Sequence, residues 1–134
     1  MYKYLGLFVF LFAFAAQSFA TNLTKRDSAL MRGEENLLVG LNSDNFGLKS
    51  SSAQILGDIQ SKKAVIPLMR ILKDSHDERL RIVAALSLYK IQDARGLFAV
   101  KQAVKFDDSA RVRKLCNNFY LDSEKQEMAA ARQR

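Results

Sequence analysis

The sequence repeats itself with a period of 32 residues, and this regularity constrains the fold more than any other feature. Leu48 aligns with Leu80 and then with Val112, so apolar side chains recur in phase along the chain. Small and basic positions keep the same register, in the sets Ser52/Ala84/Cys116, Ala53/Ala85/Asn117 and Lys49/Arg81/Arg113. A tandem period of this length predicts a repeat architecture in which each unit buries its apolar face against the next.

Each unit is predicted to form two helices, because its apolar residues recur at steps of three and four. Residues with capping side chains, such as Asn45 and Asp93, precede these segments. The first helices are predicted at Phe46–Asp58, Asp77–Lys90 and Ser109–Leu121, and the second helices at Lys62–Lys73 and Ala94–Lys105. The small residues that recur on the first helices would let neighbouring helices approach closely.

The two ends of the repeat array are predicted to differ from its centre. Ser28–Asn42 carries leucines in helical spacing and is interpreted as a second helix without its first, which places the repeat domain at residues 28–122. Ser123-Glu124-Lys125-Gln126 has the pattern of a capping box, which predicts that a helix begins at Ser123. Residues 123–134 are therefore expected to form a short capping helix or a tail.

The repeated motif resembles a known family. The segments that carry the resemblance are Leu80-Arg81-x-x-Ala84-Ala85-x-x-Leu88-x-x-Ile91-x-Asp93 and Ala64-Val65-Ile66-Pro67-Leu68-x-x-Ile71-Leu72-Lys73-Asp74. They resemble the HEAT-like repeat of the phycobilisome-lyase type. The resemblance implies an all-α fold, a short right-handed α-α solenoid of HEAT-like helix pairs with about five to six helices. Repeats of this type occur in bilin lyases, adaptor proteins and DNA-repair glycosylases, so the resemblance implies a fold and no particular activity.

The first twenty residues have the layout of a secretory signal peptide. Lys3 supplies a positive charge, Leu5–Ala16 is an apolar run, and the small residues Ser18 and Ala20 lie at positions −3 and −1 of a cut after Ala20. A membrane-spanning helix needs about 20 apolar residues, so residues 1–20 are interpreted as a cleaved leader, with an uncleaved anchor as the alternative. Residues 21–27 are expected to be a flexible lead-in. We therefore expect an exported protein, periplasmic or secreted, that contacts a membrane only transiently through its leader.

No residue pattern in the chain points to catalysis, a cofactor or a metal site. The only histidine, His76, lies in a predicted turn, and no glycine-rich phosphate loop is present. The only cysteine, Cys116, shares its register with Ser52 and Ala84, which predicts a buried small residue. Arg81 and Arg113 are expected to make structural hydrogen bonds between repeats.

The second helices contain basic residues and no acidic ones. The residues predicted to contact a partner are Lys63, Arg70, Lys73, Arg95, Lys101 and Lys105. A basic face on the inner side of a solenoid would favour an acidic protein segment or another polyanion. The alternative is a solvated face on which lysines lie near helix C-termini because the helix dipole favours them there.

The predicted function is a non-enzymatic protein-binding or scaffold module of the cell envelope or the extracellular space. The alternative is an accessory subunit or enzyme of the bilin-lyase or DNA-glycosylase kind, which lacks support from any acid–base pair in the sequence. A nucleic-acid partner is not expected, because the leader indicates export and few aromatic residues lie among the basic ones. An exposed apolar end of the stack would favour self-association.

Overall fold

A computed structural model of the chain describes residues 31–133. The predicted leader, the lead-in at 21–27 and residues 28–30 lie outside this range. The chain divides into two compact units, Met1–Glu35 and Asn36–Arg134, and the packing described below is that of the second. The helices are α1 (described part, 31–40), α2 (Phe46–Asp58), a 3-10 turn (Lys62–Ala64), α3 (Val65–Asp74), α4 (Glu78–Ile91), α5 (Ala94–Phe106) and α6 (Ala110–Arg132).

The helices of residues 36–133 form two rows. Helices α2, α4 and α6 pack side by side and are called the first-helix row, while α3 and α5 pack together and are called the second-helix row. The predicted all-α stack of helix pairs is confirmed, since no strand occurs in the part of the chain that the structure describes. Each second helix packs mainly on the first helix of the following unit, α3 on α4 and α5 on α6.

The core lies between the two rows and is built from the residues that recur every 32 positions. Leu56 and Leu88, which occupy equivalent positions in successive units, are fully buried. The buried apolar cluster that surrounds them comprises Leu41, Ala53, Ala64, Val65, Leu68, Leu72, Ala84, Ala85, Ile91, Val100, Val112 and Cys116. Burial of a leucine or isoleucine side chain contributes about 1.5–3 kcal/mol each, so this cluster holds the units together.

The helices of the first-helix row approach closely because glycine, alanine and serine lie at their contacts. A Cβ atom added to Gly57 of α2 would lie 2.8 Å from the Cα atom of Ser87 in α4. The backbones therefore meet at a separation that only glycine allows. At Gly96 of α5, outside this row, an added Cβ would lie 2.9 Å from a methyl carbon of Leu88, which is side chain and not backbone.

The starts of α2, α4, α5 and α6 lie within one residue of the predicted ones, whereas α3 begins at Val65 and not at Lys62, since Lys62–Ala64 form a 3-10 turn. The side chains of Asn45, Asp77, Asp93 and Ser109 each accept a hydrogen bond from a backbone N–H in the first turn of α2, α4, α5 and α6. Such bonds satisfy donors that have no partner within the helix. The carboxylate of Asp77 also accepts hydrogen bonds from the Arg79 guanidinium, which lowers the pKa of Asp77 to about 2.

The predicted helix start at Ser123 is wrong. Helix α6 continues without interruption from Ala110 to Arg132, and Ser123 lies inside it. The Ser123 hydroxyl donates a hydrogen bond to the carbonyl oxygen of Tyr120 at 2.7 Å, so it does not cap a helix N-terminus. The capping-box letters also fit the interior of a helix, where a serine can bond back to the preceding turn. The segment after residue 122 is thus a continuation of α6, which is the first helix of the last repeat unit.

Candidate protein-binding groove

An apolar groove runs between α3 and α5, the two helices of the second-helix row. Its volume is about 570 Å³. The apolar residues that line it are Ile66, Met69, Leu72, Phe98, Ala99, Ala103 and Phe106, and the polar ones are Arg70, Lys73, Asp74, Gln102 and Asp107.

Helical spacing explains why these side chains meet at one place. On α3, Ile66, Arg70 and Lys73 follow one another at steps of four and three, while Leu68 turns into the core. On α5, Phe98, Gln102 and Phe106 follow at steps of four. The pairs Ile66/Phe98 and Arg70/Gln102 lie 32 residues apart, so the groove uses the same repeat positions on both of its walls.

Three large apolar side chains of the groove are exposed to solvent. Phe98 is 61% exposed, Phe106 is 75% exposed and Ile66 is 41% exposed. Single apolar residues on a surface are ordinary, whereas a cluster around one concave site marks a surface that binds another molecule. These three exposed side chains lie around one concave site, whereas exposed apolar residues of the first-helix row, such as Leu48 and Ile55, are not among the residues that line it.

Two cations and two carboxylates line the groove, and one of the carboxylates is paired with an arginine outside it. Asp107 accepts hydrogen bonds from the Arg81 guanidinium at 2.8 and 3.0 Å and from the backbone N–H of Ser109, so its charge is already compensated. Among the described residues, no hydrogen bond or ion pair engages Arg70, Lys73 or Asp74. Two free cations and one free carboxylate therefore remain on the α3 wall.

The structure distributes the six predicted basic residues over several surroundings. Arg70 and Lys73 line the groove, as the prediction of a basic binding face requires. Lys101 turns towards α6, where its ammonium group lies 4.8 Å from the centre of the Tyr120 ring. Arg95 binds the carboxylate of Asp93 at 3.0 Å. Lys63 and Lys105 are exposed but are not among the lining residues, so the binding role of all six stays a prediction.

Sequence reasoning missed the apolar part of the groove. Ile66 and Phe98 match in the 32-residue register, but register alone does not separate a buried position from an exposed one. The helical phase of the phenylalanines on α5 is the feature of the sequence that indicates the groove. Phe98 and Phe106 lie on the same side of the helix as Gln102 and away from the buried Gly96 and Val100. Apolar residues on the polar side of an amphipathic helix indicate a contact surface.

The hydrogen bonds of Arg81 and Arg113, called the Arg81 ladder, link one repeat to the next at the end of the groove, as predicted. Arg81 binds the Asp107 carboxylate through two hydrogen bonds and donates a third to the carbonyl oxygen of Ser75 at 2.8 Å. Arg113 repeats the last contact one unit later, with the carbonyl oxygen of Asp107 at 2.6 Å. The hydrogen bonds to Asp107 raise the pKa of Arg81, which stays charged and structural.

Cys116 is a core residue, as its register predicted. Its side chain is fully buried, and this burial raises the pKa of the Cys116 thiol to about 12. A thiol with so high a pKa carries almost no thiolate at neutral pH and is a poor nucleophile. His76 is exposed in the turn between α3 and α4. No group of three potential metal ligands occurs within residues 31–133.

A second, more polar cavity lies where the ends of α2 and α4 meet α6. Its volume is about 300 Å³. Gln126 of α6 donates hydrogen bonds to the Tyr89 hydroxyl and to the Asp122 carboxylate, both at 2.8 Å, and Tyr89 also bonds to Asp122. The Tyr89 ring stacks on Phe119. These contacts join α4 to α6, so the residues of this cavity are already engaged with one another.

Comparison with protein families identifies the class of the fold. The family model for HEAT repeats matches residues 34–117, which include the described helices from α1 to the middle of α6. The chain belongs to the HEAT repeat family. No curated protein matches the sequence. Among residues 31–133, no helix has both the length and the apolar character required to cross a bilayer.

Proposed function

We propose that the protein is a non-enzymatic binding module that holds a partner protein in the groove between α3 and α5. The observation that carries this proposal is the clustering of exposed Ile66, Phe98 and Phe106 around one concave site. HEAT-type arrays bind partners through extended surfaces that neighbouring repeats build together. Here the two walls of the groove come from successive repeats, so a partner would contact both.

The chemistry of the reactive side chains supports a non-enzymatic role. A nucleophile or general base must reach a substrate and must have a pKa suited to its task. Cys116 is buried and its thiol stays protonated, while His76 is exposed at a turn on a different segment. The likeness to phycobilisome-lyase repeats supports the repeat architecture alone, and we propose no lyase or glycosylase activity.

We also propose that the protein acts outside the cytoplasm. This proposal rests on the layout of residues 1–20, with Lys3, the apolar run Leu5–Ala16 and a small residue at Ala20. N-terminal sequencing of the protein from fractionated host cells tests it. Mature protein that begins at Thr21 in the envelope or the medium supports export, and full-length protein in the cytosol contradicts it.

Affinity capture with matched variants tests the binding role of the groove. The double variant Phe98→Asp with Phe106→Asp places charge on the exposed aromatic positions without changing the core. The control is Leu48→Asp on α2, because Leu48 is 52% exposed and is not a lining residue of the groove. We expect the wild-type chain and the control to retain a partner that the double variant loses, by mass spectrometry of the captured proteins.

The capture experiment also has an outcome that contradicts the proposal. If the Phe98→Asp/Phe106→Asp variant is folded and captures the same proteins as the wild type, the groove is not the binding site. Circular dichroism and thermal unfolding of each variant establish that it is folded. Comparable melting curves are expected for all three proteins, since the substituted side chains are half or more exposed.

A further inference from the structure

We infer that the occupant of the groove is an amphipathic helix of a partner protein, apolar on one side and acidic along its edge. This inference rests on the proposed binding function and specifies the chemistry of the partner. Three properties of the described residues support it. They are the backbone chemistry of the groove walls, the length of the apolar floor (the exposed faces of Ile66, Phe98 and Phe106), and the charge of the α3 wall.

The groove walls favour a helical occupant over an extended one. Both walls are α-helices, whose backbone N–H and C=O groups are bonded within each helix, so the groove offers an occupant no sheet edge. An extended peptide on this apolar floor would bury backbone polar groups without partners, at a substantial free-energy cost for each. A helix satisfies these groups internally and presents only side chains to the floor.

The length of the groove fits two helical turns. Phe98 and Phe106 are eight residues apart on α5, which corresponds to about 12 Å along a helix axis. On the opposite wall, Ile66 and Lys73 are seven residues apart, or about 10 Å. An occupant of about eight residues with apolar anchors at positions i, i+4 and i+7 would cover this distance. Its anchors would contact the exposed faces of Ile66, Phe98 and Phe106.

The charge of the groove favours acidic residues on the occupant. Arg70 and Lys73 lie on the α3 wall, and no contact within the described part of the chain engages them. Asp107 is compensated by Arg81, which leaves Asp74 as the only free acid among the lining residues. Carboxylates on the edge of the occupant would pair with Arg70 and Lys73 at the rim, where such pairs determine specificity and association rate.

Electrostatics disfavour a second copy of this chain as the occupant. The chain carries a formal net charge of +7, so copies repel one another at low ionic strength. The exposed apolar residues near the end of α6, Leu121 and Met128, share their helix face with Lys125 and Arg132. A docked α6 would therefore bring cations towards Arg70 and Lys73.

Synthetic peptides provide a direct test with the purified protein. The first probe is a fluorescein-labelled helical peptide with three leucine anchors at i, i+4 and i+7 and glutamates along both edges. The second carries lysine in place of every glutamate, and the third carries alanine in place of every leucine. Fluorescence anisotropy measures the Kd of each. We expect the glutamate peptide to bind about tenfold more tightly than the lysine peptide, because two rim ion pairs together supply about that factor.

Variants of the protein test separately how the charge of the groove and its apolar floor contribute to peptide binding. Arg70→Glu with Lys73→Glu should reverse the preference, so that the lysine peptide binds more tightly. Lys114→Glu with Lys125→Glu makes the same change in net charge on α6 and should preserve the preference. Phe98→Ala with Phe106→Ala should raise the Kd of the glutamate peptide by about tenfold or more, since aromatic anchors dominate the binding energy of such contacts. The alanine peptide should not bind measurably.

The outcomes distinguish this inference from the proposed function. Equal affinity for the glutamate and lysine peptides, or a preference that survives Arg70→Glu/Lys73→Glu, overturns the inference of an acidic helix. If the groove variant nevertheless loses a partner in affinity capture, the proposed function stands and the partner has different chemistry. If self-association of the wild-type chain is abolished by Phe98→Asp/Phe106→Asp, the occupant is a second copy and the inference is wrong.

Discussion

The first-helix row and the second-helix row are built from the same 32-residue repeat, yet the first is closed where α2 contacts α4 and bounds only the smaller polar cavity at its end, while the second is open along its apolar groove. In the first-helix row, small residues such as Gly57 and Ser87 let the backbones of α2 and α4 meet. In the second-helix row, α3 and α5 carry large apolar side chains that leave a groove of about 570 Å³ between them. The two rows thus differ in what lies at their contacts: backbones meet at Gly57 in the first, and exposed apolar side chains surround a groove in the second.

The largest expected effect comes from removing a core side chain between the rows. Leu88 is fully buried, so Leu88→Ala should lower the free energy of unfolding by about 2–5 kcal/mol through lost burial and a residual cavity. Phe98→Ala removes a larger side chain, but Phe98 is mostly exposed, and the loss should be below about 1 kcal/mol. Urea denaturation measures both values. Equal losses would show that Phe98 is a core residue and would contradict the distinction between the two rows.

The next effect concerns the ladder that joins the rows at the end of the groove. Arg81→Ala removes two hydrogen bonds to the largely buried Asp107 carboxylate and one to the Ser75 carbonyl oxygen. We expect a loss of about 2–3 kcal/mol in the free energy of unfolding, because the carboxylate is left without its partner. The control is Arg79→Ala, whose exposed guanidinium pairs with Asp77 and lies 4.3 Å from the centre of the Phe46 ring, and which should lower stability less than Arg81→Ala does.

The close approach of α2 and α4 is tested by adding one methyl group. In Gly57→Ala the new Cβ atom would lie 2.8 Å from the backbone of Ser87, which cannot move aside without shifting α4. The overpacking should outweigh the better helix propensity of alanine and destabilise the fold by about 1–2 kcal/mol. Gly47→Ala in the same helix meets only the Asn45 side chain and should change stability little. Thermal melting of both variants measures the difference.

The smallest effect should be a gain in stability. Within the described residues, the Ser52 hydroxyl is the buried side-chain group without a hydrogen-bond partner, and the repeat places alanine at the equivalent position 84. Ser52→Ala should raise the free energy of unfolding by about 1 kcal/mol, since it removes an unsatisfied polar group. Ser123→Ala should instead lower it slightly, because the Ser123 hydroxyl donates to the Tyr120 carbonyl oxygen. A lower stability for Ser52→Ala would contradict this interpretation.

The sequence predicted the closed row well because core packing is repeated. Leu56, Leu88 and Cys116 occupy buried positions that their register alone assigns, and Asn45, Asp77, Asp93 and Ser109 cap the helices that they precede. Periodicity predicts such positions because every unit must bury the same face. The end of α6 was not predicted, since the letters at Ser123 fit both a helix start and a helix interior.

The open row was predicted only in part because its features do not follow the core pattern. Arg70 and Lys73 were identified by charge, and both line the groove. The exposure of Phe98 and Phe106 depends on how α5 is rotated about its axis relative to α3, and composition does not specify that rotation. The contact of Lys101 with the Tyr120 ring likewise requires the three-dimensional position of α6. The direction of each side chain thus places basic residues in different surroundings, although their charge alone puts them in one group.

Site-specific photo-crosslinking tests most directly whether the open row is the binding surface. A photoreactive amino acid at Gln102 lies in the groove, whereas the same amino acid at Gln54 lies on an exposed position of α2 in the closed row. Irradiation of host cells that express each variant should yield a covalent adduct with a partner protein from position 102 and none from position 54. Adducts from position 54 alone, or equally from both positions, would contradict the account.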